Sequence, residues 1–231
     1  MKDLFLKPFR SNSELSNYMR TTAHLQTVKS RREAVNVAVI DDEAFAPQTN
    51  LQSYGYRITP IGDMKDLAEV AGYHMVLCDI MGVGRHFDMA TQGASLISEI
   101  KKNYPEKIVI AYTGAMLNEK ASKIAQQRAD AIIKKGIDIE DWITKLDHFS
   151  EAAVDPHVIW NKVRTRLIEI DVSTKDVMLL EDAYVRSVFR RDPMLSHLKS
   201  RSERMNIGSD VRAIIQGLAS SAIFSAIVGH S

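Results

Sequence analysis

The chain has 231 residues, of which 45% are hydrophobic and 26% charged, and its formal net charge is +1. That balance is globular and excludes an intrinsically disordered chain, and a charge so near zero leaves nucleic-acid binding to a local patch. The single cysteine, Cys78, excludes an intrachain disulfide, and Asp3, Lys7 and Arg10 interrupt any apolar leader, so the sequence reads as cytoplasmic.

Residues 1–34 form a polar N-terminal extension with a weak helical period. Ser11-Asn12-Ser13-Glu14 has capping-box spacing, and Leu15, Tyr18, Met19, Thr22, Leu25 and Val28 fall on one face, which predicts a short docking helix. The cluster Lys29, Arg31 and Arg32 reads as a solvated helix end rather than a phosphate-binding patch.

From residue 35 to about 149, apolar runs alternate with amphipathic ones. The runs predict strands over 35–40, 57–61, 75–80, 107–112 and 131–134, with helices over 47–53, 64–71, 94–103, 118–128 and 139–149 between them. Pro47 suits a first helical turn, Asp63 and Ser95 sit where caps belong, and Gly55, Gly72 and Gly136 punctuate the joins. Five strands with intervening helices predict an α/β fold built on a doubly wound parallel sheet, in which ligands bind outside the carboxyl ends of the strands. The chemistry-bearing residues collect at those ends: Asp41-Asp42-Glu43, Asp79, Thr113-Gly114 and Lys134-Lys135-Gly136.

The span 35–149, about half the chain, resembles the receiver domain of bacterial response regulators. Four features in order carry the resemblance: the acid pair Asp41-Asp42 after strand one, the lone Asp79 after strand three, Thr113-Gly114 after strand four and a lysine after strand five. It implies a flavodoxin-like sheet of order 2-1-3-4-5. It also implies Mg2+ held by Asp41, Asp42 and Asp79, phosphorylation of Asp79 by a histidine kinase or phosphotransfer protein, and Thr113 and a lysine on the phosphoryl oxygens. Lys134 and Lys135 both stand at the strand end, and alignment on the small-acid-strand pattern from Ala129 favours Lys135. Three positions depart from the family: Ile132 replaces an aromatic ring, Gly136 replaces a proline, and the loop 82–92 after Asp79 is lengthened. That loop reads either as a lid or as inert packing.

The chemistry is coherent apart from the resemblance. Magnesium takes a few carboxylate oxygens and keeps an open side for water and phosphate, and phosphoryl transfer needs positioning and charge neutralisation more than a general base. Any one of these aspartates alone would read as a helix cap. The histidines (24, 74, 86, 148, 157, 197 and 230) are scattered without ligand spacing.

Beyond 149 the alternation gives way to helices. Asp155-Pro156 and Ser173-Asp176 are start signals, and Asp192-Pro193 is a break. Arg186, Arg190, Arg191, Arg201 and Arg204 are interleaved with Asp182, Asp192 and Glu203, which reads as a solvated surface rather than a DNA face. Residues 213–231 carry no Lys, Arg, Asp or Glu, and a packed or self-associating helix is favoured over a membrane segment because small and polar residues interrupt the run. The domain reading is thus an extension (1–34), a receiver (35–150) and a helical output or oligomerisation region (151–231). The resemblance implies a phosphorelay response regulator, a phosphoacceptor rather than a turnover enzyme, partnered by a kinase, and the C-terminal helices are expected to self-associate. The alternatives are a DNA-binding transcriptional regulator, for which no motif is found, and a degenerate receiver acting as an adaptor or phosphate buffer.

Overall fold

The computed structural model describes residues 9–22, 27–114 and 119–220. Five strands, β1 (Asn36–Ile40), β2 (Arg57–Pro60), β3 (Met75–Asp79), β4 (Ile108–Thr113) and β5 (Ala131–Lys134), pair in parallel in the order β2-β1-β3-β4-β5. The doubly wound, flavodoxin-like sheet expected from the sequence is therefore present. Strand β3 lies in the middle and is buried along its whole length, as a two-sided parallel strand must be.

Alternation along the strands splits the apolar residues between two faces. Val37, Val39, Met75, Leu77, Ile108, Ile110 and Tyr112 point to one side, where Phe45, Trp142 and Leu146 close the core. Ala38, Ile40, Val76, Cys78, Val109 and Ala111 point to the other, where Leu96, Ile97 and Ile100 cover them.

Helices α1 (Ser13–Thr22) and α2 (Val28–Ala34) precede the sheet, and α3 (Gln48–Ser53), α4 (Gly93–Asn103), α5 (Glu119–Arg128) and α6 (Ile139–Val154) lie between or after its strands. The connection before β3 differs from the helix expected over 64–71. It is a single 3-10 turn, Leu67–Val70, set by a reciprocal box in which Asp66 accepts from Ala68 N–H and Glu69 reaches back to the backbone. Asp63, expected as a cap, instead accepts Gly84 N–H at 2.7 Å and ties down the loop after β3. Ser95 is likewise not the cap of α4, which starts at Gly93. Helix α6 runs past residue 149 because Ser150, Ala153 and Val154 are buried against the sheet, and it ends where Asp155 caps the next helix with Pro156 in its first turn.

Four further helices, α7 (Pro156–Glu169), α8 (Thr174–Phe189), α9 (Ser196–Arg204) and α10 (Ser209–Ser220), build their own apolar cluster. Trp160 stacks on Tyr184 at 4.8 Å near its centre. The N-terminal extension serves both halves. Leu15 of α1 is fully buried in the helical cluster, and Asn12 donates to His157 O and Asn161 Oδ1. Helix α2 packs on α6, with Arg32 making a two-pronged bond to Asp147. Of the uncharged C-terminal run, residues 213–220 belong to α10, whose Ile214, Ile215, Leu218 and Ala219 are buried; residues 221–231 lie outside the described part. Among the described residues no helix is long and apolar enough to cross a membrane.

Asp147 gathers three elements. Its carboxylate accepts from Arg32 of α2 (2.7 and 2.6 Å) and from the hydroxyl of Tyr56 before β2 (2.7 Å). Burial pushes its pKa upward, and the bonds from Arg32 and Tyr56 outweigh this and hold it below the ordinary value. With the folded pKa below the unfolded one, the stabilisation is complete above the unfolded value, about 3.9, and is lost as pH falls through the folded value. Asp147→Asn should lower unfolding free energy at neutral pH by about 1–3 kcal/mol in urea titrations, with a smaller difference from wild type in acid. A pH-independent difference would assign the loss to packing.

Candidate functional site

The register of the sheet brings the candidate residues together. Ile40 pairs with Cys78, so the next residue in each chain segment, Asp41 just after β1 and Asp79 at the end of β3, emerges beside the other at the carboxyl edge. Thr113 is in register with Lys134 across β4 and β5, which carries the next residue, Lys135, to the same edge. Carboxylate oxygens of Asp41, Asp42 and Asp79 all lie within 4.8 Å of one another, the one such group of ligand-type residues among the described residues. Asp41 and Asp79 are buried, whereas Asp42 is exposed.

Lys135 holds the two buried acids. Its Nζ donates to Asp79 Oδ2 at 2.6 Å and to Asp41 Oδ2 at 3.0 Å. Burial pulls the ammonium pKa down, but the bonds to Asp79 and Asp41 outweigh it, and the lysine stays charged well into alkaline pH. Lys134 points away as an exposed residue of the edge strand, so of the two lysines it is Lys135 that meets the acids. The remaining oxygens are held by backbone: Ile80 N–H and Met81 N–H donate to Asp79 Oδ1 at 2.7 and 3.2 Å, and Glu43 N–H donates to Asp41 Oδ1 at 2.9 Å. Thr113 is buried at the end of β4, and its carbonyl accepts Lys135 N–H at 2.9 Å.

Two glycines make room for this arrangement. A Cβ on Gly82, which has φ +85°, would fall 2.2 Å from Asp42 Oδ1, and one on Gly93 would fall 1.9 Å from the Asp79 carbonyl oxygen. The lengthened loop between them is stitched to itself. Gln92 Oε1 accepts Gly82 N–H at 2.8 Å, Asp88 Oδ1 accepts from Ala90 N, Thr91 N and Thr91 Oγ1, and Val83 is buried in the core. Arg85 and His86 are exposed on its outer side.

Tyr112 is a site residue that the sequence reading passed over as strand filler. Its hydroxyl donates to Asp41 Oδ2 at 2.5 Å, its ring lies under the Lys135 ammonium at 5.1 Å, and burial, then the bond to Asp41, drives its pKa far up. The available signal was a phenol in an otherwise apolar strand, which must find a partner when buried. Phe45 and Trp142 pack edge-on against it and, with Lys135, line a cavity of about 320 Å³ beside Asp41. Ile132 is partly exposed on the edge strand, and no ring takes its place beside Thr113 from that position.

No family model matches the sequence, and no curated protein matches it. Solved structures are similar over about half the chain. A CheY-like response regulator receiver domain protein from Methanospirillum hungatei is 18% identical over 52% of this chain and 95% of its own, with a TM-score of 0.41. The receiver domain of NtrX from Brucella abortus is 24% identical over 50% of this chain and 98% of its own, with a TM-score of 0.42. The receiver domain of nitrogen regulatory protein C is 23% identical over 52% and 96%, with a TM-score of 0.43.

The donor set suits a hard divalent cation: oxygen ligands, one of them exposed, with like charges that a cation would relieve. Lys135 now supplies that relief for Asp41 and Asp79. Lys135→Met should therefore lower the melting temperature in chelator, and magnesium should raise it by more than it does in wild type. An equal magnesium response in the two proteins would show that the lysine and the cation do not share the acids.

Proposed function

We propose that the chain is a response regulator whose receiver accepts a phosphoryl group on Asp79 from a histidine kinase or phosphotransfer protein. One observation carries this reading: a single ammonium, that of Lys135, bridges Asp41 and Asp79 at adjacent strand ends while a third acid, Asp42, lies open beside them. The third carboxylate lies at the carboxyl edge of the sheet, where ligands of doubly wound folds bind.

Asp41, Asp42 and Asp79 would hold Mg2+, which when bound neutralises the acids and the charge of the incoming phosphoryl group. The chain's own residues do the rest. Asp79 Oδ1 is fixed by two backbone N–H groups, which orients the carboxylate and leaves Oδ2 as the attacking oxygen. A P–N or P–O bond of the donor breaks as the new O–P bond forms, and the bonding pair departs with the donor group, which takes a proton from solvent. Lys135 moves its ammonium from the carboxylate to the phosphoryl oxygens, a short step since it already contacts Asp79 Oδ2. Thr113 supplies the hydroxyl that follows the added charge. Asp79 is returned by hydrolysis, so the domain promotes its own modification and is not a turnover enzyme. The helical half transmits the change through contacts between copies of the chain.

Incubation with a small acyl phosphate and Mg2+ should add one phosphoryl group by intact mass, and Asp79→Asn, nearly isosteric, should abolish it. No adduct in wild type, or the same adduct in the variant, would remove Asp79 from this role.

A further inference from the structure

A second polar cavity lies far from the acids, where the sheet unit meets α7. About 200 Å³ in volume, it is lined by Lys101 at the end of α4, Gln127 and Arg128 at the end of α5, and Lys162, Arg166 and Glu169 of α7. Its charges do not balance. Lys101 and Lys162 share one carboxylate, Asp130, the first at 3.0 Å and the second in a shorter contact. Arg128 and Arg166 share another, Glu169, at 3.8 and 3.2 Å. Glu106 and Lys107, on the connection into β4, are fully buried and 3.8 Å apart; the Lys107 ammonium is turned to the carbonyls of Ala71 and Tyr73, Glu106 feels Lys101 and Lys162 as well, and neither residue lines the cavity. Four cations thus line the cavity against two anions.

The cost of that surplus is visible in one side chain. Burial, then the neighbouring Lys101, pulls the Lys162 pKa down to about 8 despite its contact with Asp130. A carboxylate in the same surroundings shows the converse: Asp130 is held below its ordinary value by Lys101 and Lys162 although burial pushes it up. The site is short of negative charge. Two guanidinium groups and two ammonium groups around a small, partly enclosed volume match the oxygens of a tetrahedral oxyanion.

We propose that this cavity binds a small phosphorylated dianion, with Arg128 of the sheet unit and Lys162 and Arg166 of α7 as its donors and Lys101, whose ammonium is held by Pro105 O, Lys107 O and Asp130, as a fixed positive charge beside it. Such a ligand bridges the two units. It therefore strengthens the docking of α7, which otherwise rests on Lys162–Asp130, on Arg128–Glu169, on the Arg166 Nε bond to Lys102 O (3.3 Å) and on apolar packing. An anion beside Lys162 returns its amine to the charged form, so ligand binding and proton uptake near pH 8 are coupled.

The test uses the full chain without added metal, with inorganic phosphate, pyrophosphate and ADP as probes against sodium chloride of equal ionic strength. A rise in melting temperature of about 3–6 °C at ten times Kd is expected for wild type. Phosphate and pyrophosphate acting alone would identify a free oxyanion, and ADP acting at lower concentration would identify a nucleotide. Arg128→Gln removes a half-exposed cation whose ion pair is long, and it should fold normally and lose the rise. A second reading needs no variant. At pH 8 an acylating reagent should label Lys162, and pyrophosphate should slow that labelling several-fold while leaving the exposed Lys145 unchanged. No rise beyond that of chloride, an undiminished rise in Arg128→Gln, or unprotected Lys162 would each overturn the assignment.

Discussion

Asp41 and Asp79 are buried carboxylates at neighbouring strand ends, and the one ammonium of Lys135 lies between them. Two like charges so placed repel strongly when water is excluded, and removing the shared cation would leave both uncompensated. Much of the surrounding structure meets that constraint. Parallel register sets the strand ends side by side, β5 delivers the lysine, and backbone N–H groups of residues 43, 80 and 81 take up the carboxylate oxygens that the lysine does not reach. Tyr112 adds a hydroxyl to Asp41 and a ring face to the ammonium. Such a network is well satisfied at rest yet retains an exposed acid, Asp42, through which a cation can enter.

The helical half engages the opposite end of the sheet. Lys162 meets Asp130 just before β5, Arg166 meets the backbone of Lys102, and the α10 residue Gly217 lies so close to Tyr104 that a Cβ there would come within 3.1 Å of the ring. Helix α4 spans the distance between the two ends. It starts at Gly93, packed on the Asp79 carbonyl with its N–H on Ile80 O, and it finishes at the residues that face α7 and α10. A displacement of the Asp79 backbone would therefore meet the start of α4, whose far end faces α7 and α10.

Four of the five strands were legible because each is a run of apolar, mostly branched residues ended by a polar group, the short β2 (Arg57–Pro60) being the exception, and parallel register then converts strand ends into a site. Asp41, Asp42, Asp79 and the pair Lys134-Lys135 could be placed together on that basis, and the choice of Lys135 rested on the family resemblance. Helix ends were less legible: Asp63 and Asp66 carry the same carboxylate in the same polar stretch, and which one caps depends on Gly84, a residue of a distant loop, taking up the other. Tyr112 was hidden for a similar reason, since a phenol within an apolar strand shows its partner only when the sheet is assembled. Lys107 is the converse case. It was read as the polar start of a strand and is fully buried, its ammonium capped by the carbonyls of Ala71 and Tyr73 from another connection.

An acyl phosphate on the Asp79 carboxylate would carry its own chemical signature. Borohydride reduces an acyl phosphate of aspartate to homoserine and leaves phosphate esters and free carboxylates intact. Peptide mapping of the protein after treatment with an acyl-phosphate donor, Mg2+ and then borohydride should find that conversion at position 79. Conversion at Asp41, Asp42 or another acid, or at none, would contradict the account.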